Sequence, residues 1–236
     1  MTNTGNLGLP LVQPSQAQKH ITVNESLAKL DGLTQLILIS ISTGTPPLSA
    51  SDGASYGVPI GGVNAWAGHD GEVAIYSNGG WVFSIPQTGW RAWIADHAYS
   101  ALFDGSNWTQ GALAQSPNGA KSGFSILEFD HVISAGSSNS TVVVIPPHAM
   151  LFGVSGVVVS DVTGTLTSWS LGKSGSLSLF GSGLGLASNS YVRGTLSSPY
   201  TEYSPTSLLL TADGGDFASG TVRLAIHYYS LTIPSI

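Results

Sequence analysis

The chain contains no cysteine. That excludes a disulfide framework, a thiol nucleophile and a cysteine-ligated zinc site. Charge is also scarce. Only 8% of residues are Asp, Glu, Lys or Arg, against about 25% in an average globular chain. The 7 basic residues are outnumbered by 13 acidic ones, for a net charge of −6. No Lys/Arg cluster occurs, so phosphate neutralisation has no footing and nucleic acid is not an expected partner. Long apolar runs are missing too. The longest aliphatic stretch, around Leu36 to Ile41, is far too short to span a bilayer, and no membrane insertion is expected. The first residues lack the basic start and apolar core of a secretory signal. No fixed-period repeat is present, which counts against a long β-helical depolymerase.

What remains is a chain rich in small, uncharged polar residues, with 30 glycines among 236 residues. That length suffices for two modest domains, each with its own core. A surface of low charge offers little repulsion against self-association, so an oligomer is expected.

Residues 1–42 read as an extended arm followed by a helix. Pro10 and Pro14 fix φ and remove donors, and the stretch Pro14-Ser15-Gln16-Ala17-Gln18-Lys19-His20 has no apolar period. Alone, such an arm lacks a reason to order and needs a partner chain or particle surface. Thr22 and Glu25 have the spacing of a capping box, which places the helix start near Thr22. Val23, Leu27, Leu30, Thr34 and Ile37 then recur at spacings of 4, 3, 4 and 3, an a/d seam over about two heptads. The seam either packs on its own domain or lies on a three-fold axis. Gly32 should weaken the helix by roughly 1 kcal/mol relative to Ala.

Residues 43–110 form a Trp/Gly-rich hairpin domain. Val73–Phe83 and Ser100–Trp108 each combine an aliphatic-aromatic pair with an Asn-Gly or Asp-Gly turn and a Trp. Those turn pairs readily adopt φ > 0, as tight hairpins require. Five of the six Trp lie between 66 and 108. They read either as an exposed sugar-stacking surface or as the core of a small domain, with core favoured because Trp normally buries most of its area. Residues 111–123 read as a linker. From 124 to 236 the pattern changes to eight short strands, near 124–133, 141–145, 151–159, 165–171, 176–180, 190–196, 206–212 and 221–231. Such spacing suggests a jelly-roll-like β-sandwich. In the last strand Val222, Leu224, Ile226 and Tyr228 alternate with Arg223, Ala225, His227 and Tyr229.

Chemistry-bearing patterns are few. Gly181-Ser182-Gly183-Leu184-Gly185 lacks the strand-to-helix context of a nucleophile elbow. The acidic residues read mostly as turn residues, several directly before glycine, as in Asp52-Gly53, Asp70-Gly71, Asp104-Gly105 and Asp213-Gly214. Glu128 and Asp130 share one strand face, the minimum that glycoside hydrolysis would need. The six histidines are scattered without ligand spacing. His20 could meet symmetry mates on a three-fold axis, although a hydrogen-bonded His at a chain contact is the simpler reading. No metal, cofactor or catalytic residue is expected. The candidate glycan-binding residues are Tyr191, Tyr200, Tyr203, Tyr229 and Trp169, since sugar rings stack on aromatic faces.

Three blocks carry a resemblance: Gln13-Pro14-Ser15-Gln16-Ala17-Gln18-Lys19-His20 with Val23-Asn24-Glu25, then Ala65-Trp66-Ala67-Gly68-His69, then Gly89-Trp90-Arg91-Ala92-Trp93. Over about residues 7–110 the chain resembles the DUF2793 family, whose members sit in virion fibres and spikes of tailed phages and gene transfer agents. Thr211–Gly220 and Val222–Tyr228 are similar to the sandwich that often follows this domain. The resemblance implies a virion part and supplies no catalytic residue. Tail fibre, baseplate fibre and head spike stay open.

The expectation is therefore a mainly β virion protein, assembled in the host bacterial cytoplasm: a homotrimeric tail fibre or receptor-binding protein that recognises a host surface glycan. Residues 1–42 would attach and trimerise it, with Pro14, Gln16, Gln18 and His20 as candidate contacts to other tail, baseplate or head proteins. The alternatives are a particle-borne polysaccharide-degrading enzyme and a structural adaptor without receptor binding.

Overall fold

A computed structural model describes residues 3–12 and 19–234. The chain divides into two compact units, Met1–Ala112 and Leu113–Ile236.

In the first unit, α1 spans Lys19–Leu33. It begins before Thr22, so Thr22 lies inside the helix and does not cap it; the Ser26 hydroxyl donates back to the Thr22 carbonyl at 2.9 Å. Gln35, with φ 52°, ends the helix in a left-handed turn. Thr34 and Ile37 therefore leave the expected seam, and Ile37 opens β1 (Ile37–Leu38). Ala28, Asp31 and Gly32 form the buried side of α1. β1 pairs in parallel with β5 (Arg91–Ile94), which continues to β6 (Tyr99–Phe103) and β7 (Trp108–Gln110). A second sheet holds β2 (Ser55–Gly57), β3 (Val73–Ser77) and β4 (Gly80–Ser84). The β3–β4 turn is the expected two-residue one, with Asn78 at φ 50° and Gly79 at φ 82°. The β6–β7 turn is four residues long, tied by the Asp104 carboxylate, which accepts from the Ser106 and Asn107 amides. One core joins Leu36, Leu38, Val73, Ile75, Ala92, Ile94 and Ala101. A smaller one centres on Trp66, boxed by Tyr56 and Trp81. Core is thus where Trp66 goes.

Residues 4–12 of the arm make specific contacts that their composition does not suggest. Asp31, only 2% exposed, accepts hydrogen bonds from the Thr4 hydroxyl at 2.6 Å, the Asn6 amide at 2.8 Å and the Leu7 amide. About two helical turns back, the Asn24 side chain both accepts from and donates to the Val12 backbone, at 2.9 and 3.0 Å. Residues 4–12 are thereby tied to α1 of the same chain.

The second unit begins in the stretch read as a linker. β8 (Ala114–Gln115) pairs with the start of β9 (Lys121–Ile133), so these residues are sheet. The remaining strands are β10 (Ser138–Ile145), β11 (Ala149–Gly164), β12 (Ser168–Lys173), β13 (Ser176–Leu184), β14 (Tyr191–Glu202), β15 (Thr206–Asp213) and β16 (Phe217–Thr232). All eight expected strands are present, most of them longer than the sequence suggested. The sheet orders are β10-β15-β12-β13 and β14-β11-β16-β9-β8. Setting β8 aside, this is the strand order of a jelly roll, two interleaved four-stranded sheets. Leu151, Trp169, Leu171, Phe180, Leu208, Leu210, Phe217, Leu224 and Ile226 fill the space between them. β16 alternates as its sequence does. Val222, Leu224 and Ile226 are buried, while Arg223 is exposed and His227 and Tyr229 are partly so.

Candidate binding face

The side of the five-stranded sheet turned away from the core is polar at its centre, and the register shows why. Arg193 pairs with Ser155, Ser155 with Ala225, and Ala225 with Glu128. These four positions form one row across β14, β11, β16 and β9. The next row runs Tyr191, Val157, Arg223, Asp130, and the row on the other side Thr195, Gly153, His227, Ile126. Each strand sends alternate residues outward. Gly153, Ser155 and Ala225 are short, so the middle of the face sinks between β14 and β9.

The result is a trough. One pocket of about 330 Å³ is lined by Glu128, Ser155, Val157, Tyr191, Arg193 and Arg223, among others. A second, of about 230 Å³, shares Ser155 and Arg193 and adds Gly153, Thr195 and His227. Three strand spacings separate the Arg193 and Glu128 backbones, about 14 Å. The sequence from Gly153 to Val157 gives the trough a length of about 13 Å.

Its electrostatics are balanced. Arg223 holds Asp130 in a two-point ion pair, Nε to Oδ1 at 2.7 Å and Nη2 to Oδ2 at 2.9 Å. The hydrogen bonds from Arg223 keep the Asp130 carboxyl below its ordinary range. The Arg193 guanidinium sits 5.5 Å from the centre of the Tyr191 ring. Neither Arg193 nor Glu128 has an ion-pair partner within 4.0 Å among the described residues. Ser155 Oγ and His227 Nε2 lie 2.8 Å apart on the floor.

The aromatic residues singled out from sequence go to four places. Tyr191, 69% exposed, stands on the trough wall. Tyr229 is on the same face but further along, packed edge-on against Phe124 at 5.3 Å between ring centres. Phe124 also meets Phe152 at 5.5 Å. From the register, seven residues of β11 separate the partners of Tyr191 and Tyr229, roughly 20 Å. Tyr200 and Tyr203 are at the end of β14. The Tyr200 hydroxyl is hydrogen-bonded to Glu202 at 3.0 Å, and Lys173 lies over its ring while pairing with Glu202. Burial, then the bond to Glu202, drives the Tyr200 hydroxyl well above its ordinary pKa. Burial alone would raise Glu202, but bonds from Lys173 and Tyr200 bring it below its ordinary value. Tyr203 is 76% exposed beside His148. Trp169 must be struck from the set: it is 1% exposed, in the core, with its indole N–H donating to the Gly185 carbonyl at 2.9 Å. It lies on an inward position of a central strand, where no saccharide reaches.

Arg193, Ser155 and Thr195 were not singled out from sequence. The signal was the alternation Tyr191-Val192-Arg193-Gly194-Thr195, with Val192 and Gly194 inward. On α1, Val23 and Leu30 are exposed and Leu27 is half-buried, so this part of the seam is uncovered in the single chain. Pro14, Gln16 and Gln18 lie outside the described residues, as does the His20 side chain.

The comparisons with known proteins are sparse. Residues 23–109 match the family model described as "Protein of unknown function (DUF2793)", so the resemblance carried by the sequence blocks is shown over that stretch. No curated protein matches the chain. Among solved structures, a chain described as belonging to the cyanophage Pam1 capsid asymmetric unit matches at 22% identity and a TM-score of 0.32, over 54% of this chain and 99% of that one. It is a weak likeness.

Proposed function

We propose that the protein is a structural part of a phage or phage-like virion, a homotrimeric tail fibre or receptor-binding protein whose second unit engages a host surface glycan. The observation that carries the binding half is the trough: the exposed Tyr191 ring beside Arg193 and Glu128, which have no ion-pair partner among the described residues, over a centre kept low by Gly153, Ser155 and Ala225. Sugars are bound by such combinations of a ring face with polar groups that fix hydroxyls. The virion half rests on the DUF2793 domain at 23–109 and on where members of that family sit. The trimer reading is supported by the low charge and by the exposed Val23 and Leu30 on α1, with Leu27 half-buried between them.

Two features favour binding over turnover. A glycosidase needs one carboxylic acid kept protonated, whereas Arg223 holds Asp130 ionised. The Ser155–His227 contact has the spacing of a nucleophile and base. Yet Ser155 lies in mid-strand between β14 and β16, where the ladder engages the amides that an oxyanion hole would require.

The reading is tested by light scattering on the purified full chain and by adsorption of particles to host cells. Three chains of 24.3 kDa give an expected mass of about 73 kDa. Adsorption should be lost when residues 113–236 are removed from the particle-borne protein. Unchanged adsorption would leave the adaptor reading in its place.

A further inference from the structure

The trough suggests the class of its ligand. Four ionic side chains line it or its first flanking row: Glu128, Asp130, Arg193 and Arg223. Their charges sum to zero, and Arg223 with Asp130 is already a closed pair. The whole chain carries −6. A polyanion approaching this face therefore meets no net attractive field, because the pull of the Arg193 wall is offset by the Glu128 wall opposite it. A neutral polyol meets the opposite situation. The Glu128 carboxylate offers only acceptors, the Arg193 guanidinium only donors, and Ser155 and Thr195 both. Sugar hydroxyls can answer all of these, and the apolar face of a ring can lie on Tyr191.

The shape adds a direction. The two pockets share Ser155 and Arg193 and run along the strands, so the depression is elongated. Small side chains at Gly153, Ser155 and Ala225 keep its middle low, while Val157 and Arg223 pave the end beside Tyr191.

We infer that the trough between Arg193 and Glu128 binds a short stretch of a linear, uncharged polysaccharide, with these two side chains gripping hydroxyls from opposite walls. The inference rests on the glycan-binding reading and narrows it to neutral sugar chains.

The test is affinity electrophoresis of the full-length protein through gels containing dextran or mannan, and through matched gels containing alginate or hyaluronate. Retardation by a neutral polymer is expected, with no retardation by the acidic pair. Glu128→Gln and Arg193→Ala should each weaken it about 10-fold, the effect of losing a hydrogen bond to a charged group. Val142→Ala, on the other sheet and exposed, should leave it unchanged. Glu128 and Arg193 are exposed, so circular dichroism of both variants should match the parent. Retardation by acidic polymers alone, by no polymer, or equally in parent and both variants would overturn the inference. Particle adsorption separates this failure from the broader one. Adsorption that needs residues 113–236 but tolerates both substitutions removes the trough and leaves the receptor-binding reading. Adsorption indifferent to residues 113–236 removes that reading itself.

Discussion

Gly32 shows how a residue's effect can reverse between sequence and fold. In an isolated helix, Gly→Ala gains about 1 kcal/mol. Here a Cβ on Gly32 would lie 2.7–2.8 Å from three side-chain atoms of Ile75, and Ile75 is itself buried. The helix crosses β3 at a distance that only a glycine permits. Gly32→Ala is therefore expected to destabilise the first unit by about 1–3 kcal/mol, the usual cost of overpacking, visible as a lower melting temperature. His131 gives a second prediction. Its Nε2 is buried without a hydrogen-bond partner among the described residues, and burial depresses its pKa below the usual 6.5. In the unfolded chain the ring takes up its proton near pH 6.5, while the folded chain resists. Its share of stability is thus complete above that pH and falls away as the pH drops through the folded value. Thermal melts of His131→Leu should lose less melting temperature between pH 7 and pH 5 than the parent does.

At the scale of elements, legibility followed periodicity. The eight strands of the second unit were readable because one side of each faces a core, as Val222, Leu224 and Ile226 do in β16. The Asn78-Gly79 turn was readable because its φ values admit few residues. The ends of α1 were not. Its first turn falls in a stretch without apolar period, and its last is set by the left-handed Gln35, which no motif announced. The contacts of residues 4–12 with α1 were not legible for a related reason. They come from side chains gripping backbone, Asp31 and Asn24 on one side of α1, and such contacts leave no hydrophobic trace. Replacing Asp31 with Ala should release residues 4–9 and cost about 1–3 kcal/mol, the usual range for unpairing buried polar groups. Hydrogen exchange checks this: the Asn6 and Leu7 amides should lose protection, with β3 and β4 unaffected. The trough escaped notice because its walls, Glu128 and Arg193, are neighbours only through the pairing of four strands.

For the whole molecule, number of copies and strength of a single site are separable quantities. On the proposed reading, one copy of so shallow a trough would hold a sugar chain weakly. Joining three copies turns later contacts into intramolecular ones, and avidity can then exceed single-site affinity by about 10²–10⁴-fold. The α1 seam is the place to cut this link, because Val23 and Leu30 cover nothing in the single chain; Leu30 is 54% exposed. Leu27→Asp with Leu30→Asp puts two charges on that stripe without opening either core of the first unit. Light scattering should fall from about 73 kDa to one chain of 24.3 kDa, while circular dichroism keeps its β signature. Retardation by a neutral polysaccharide should weaken steeply as copies are lost, yet remain sensitive to Arg193→Ala in the monomer. Adsorption to cells should fall by the avidity factor. A double mutant that keeps the mass of three chains would instead move the interface off α1, and the exposed Phe124, Ile126 and Leu231 on the five-stranded sheet would be the next residues to charge.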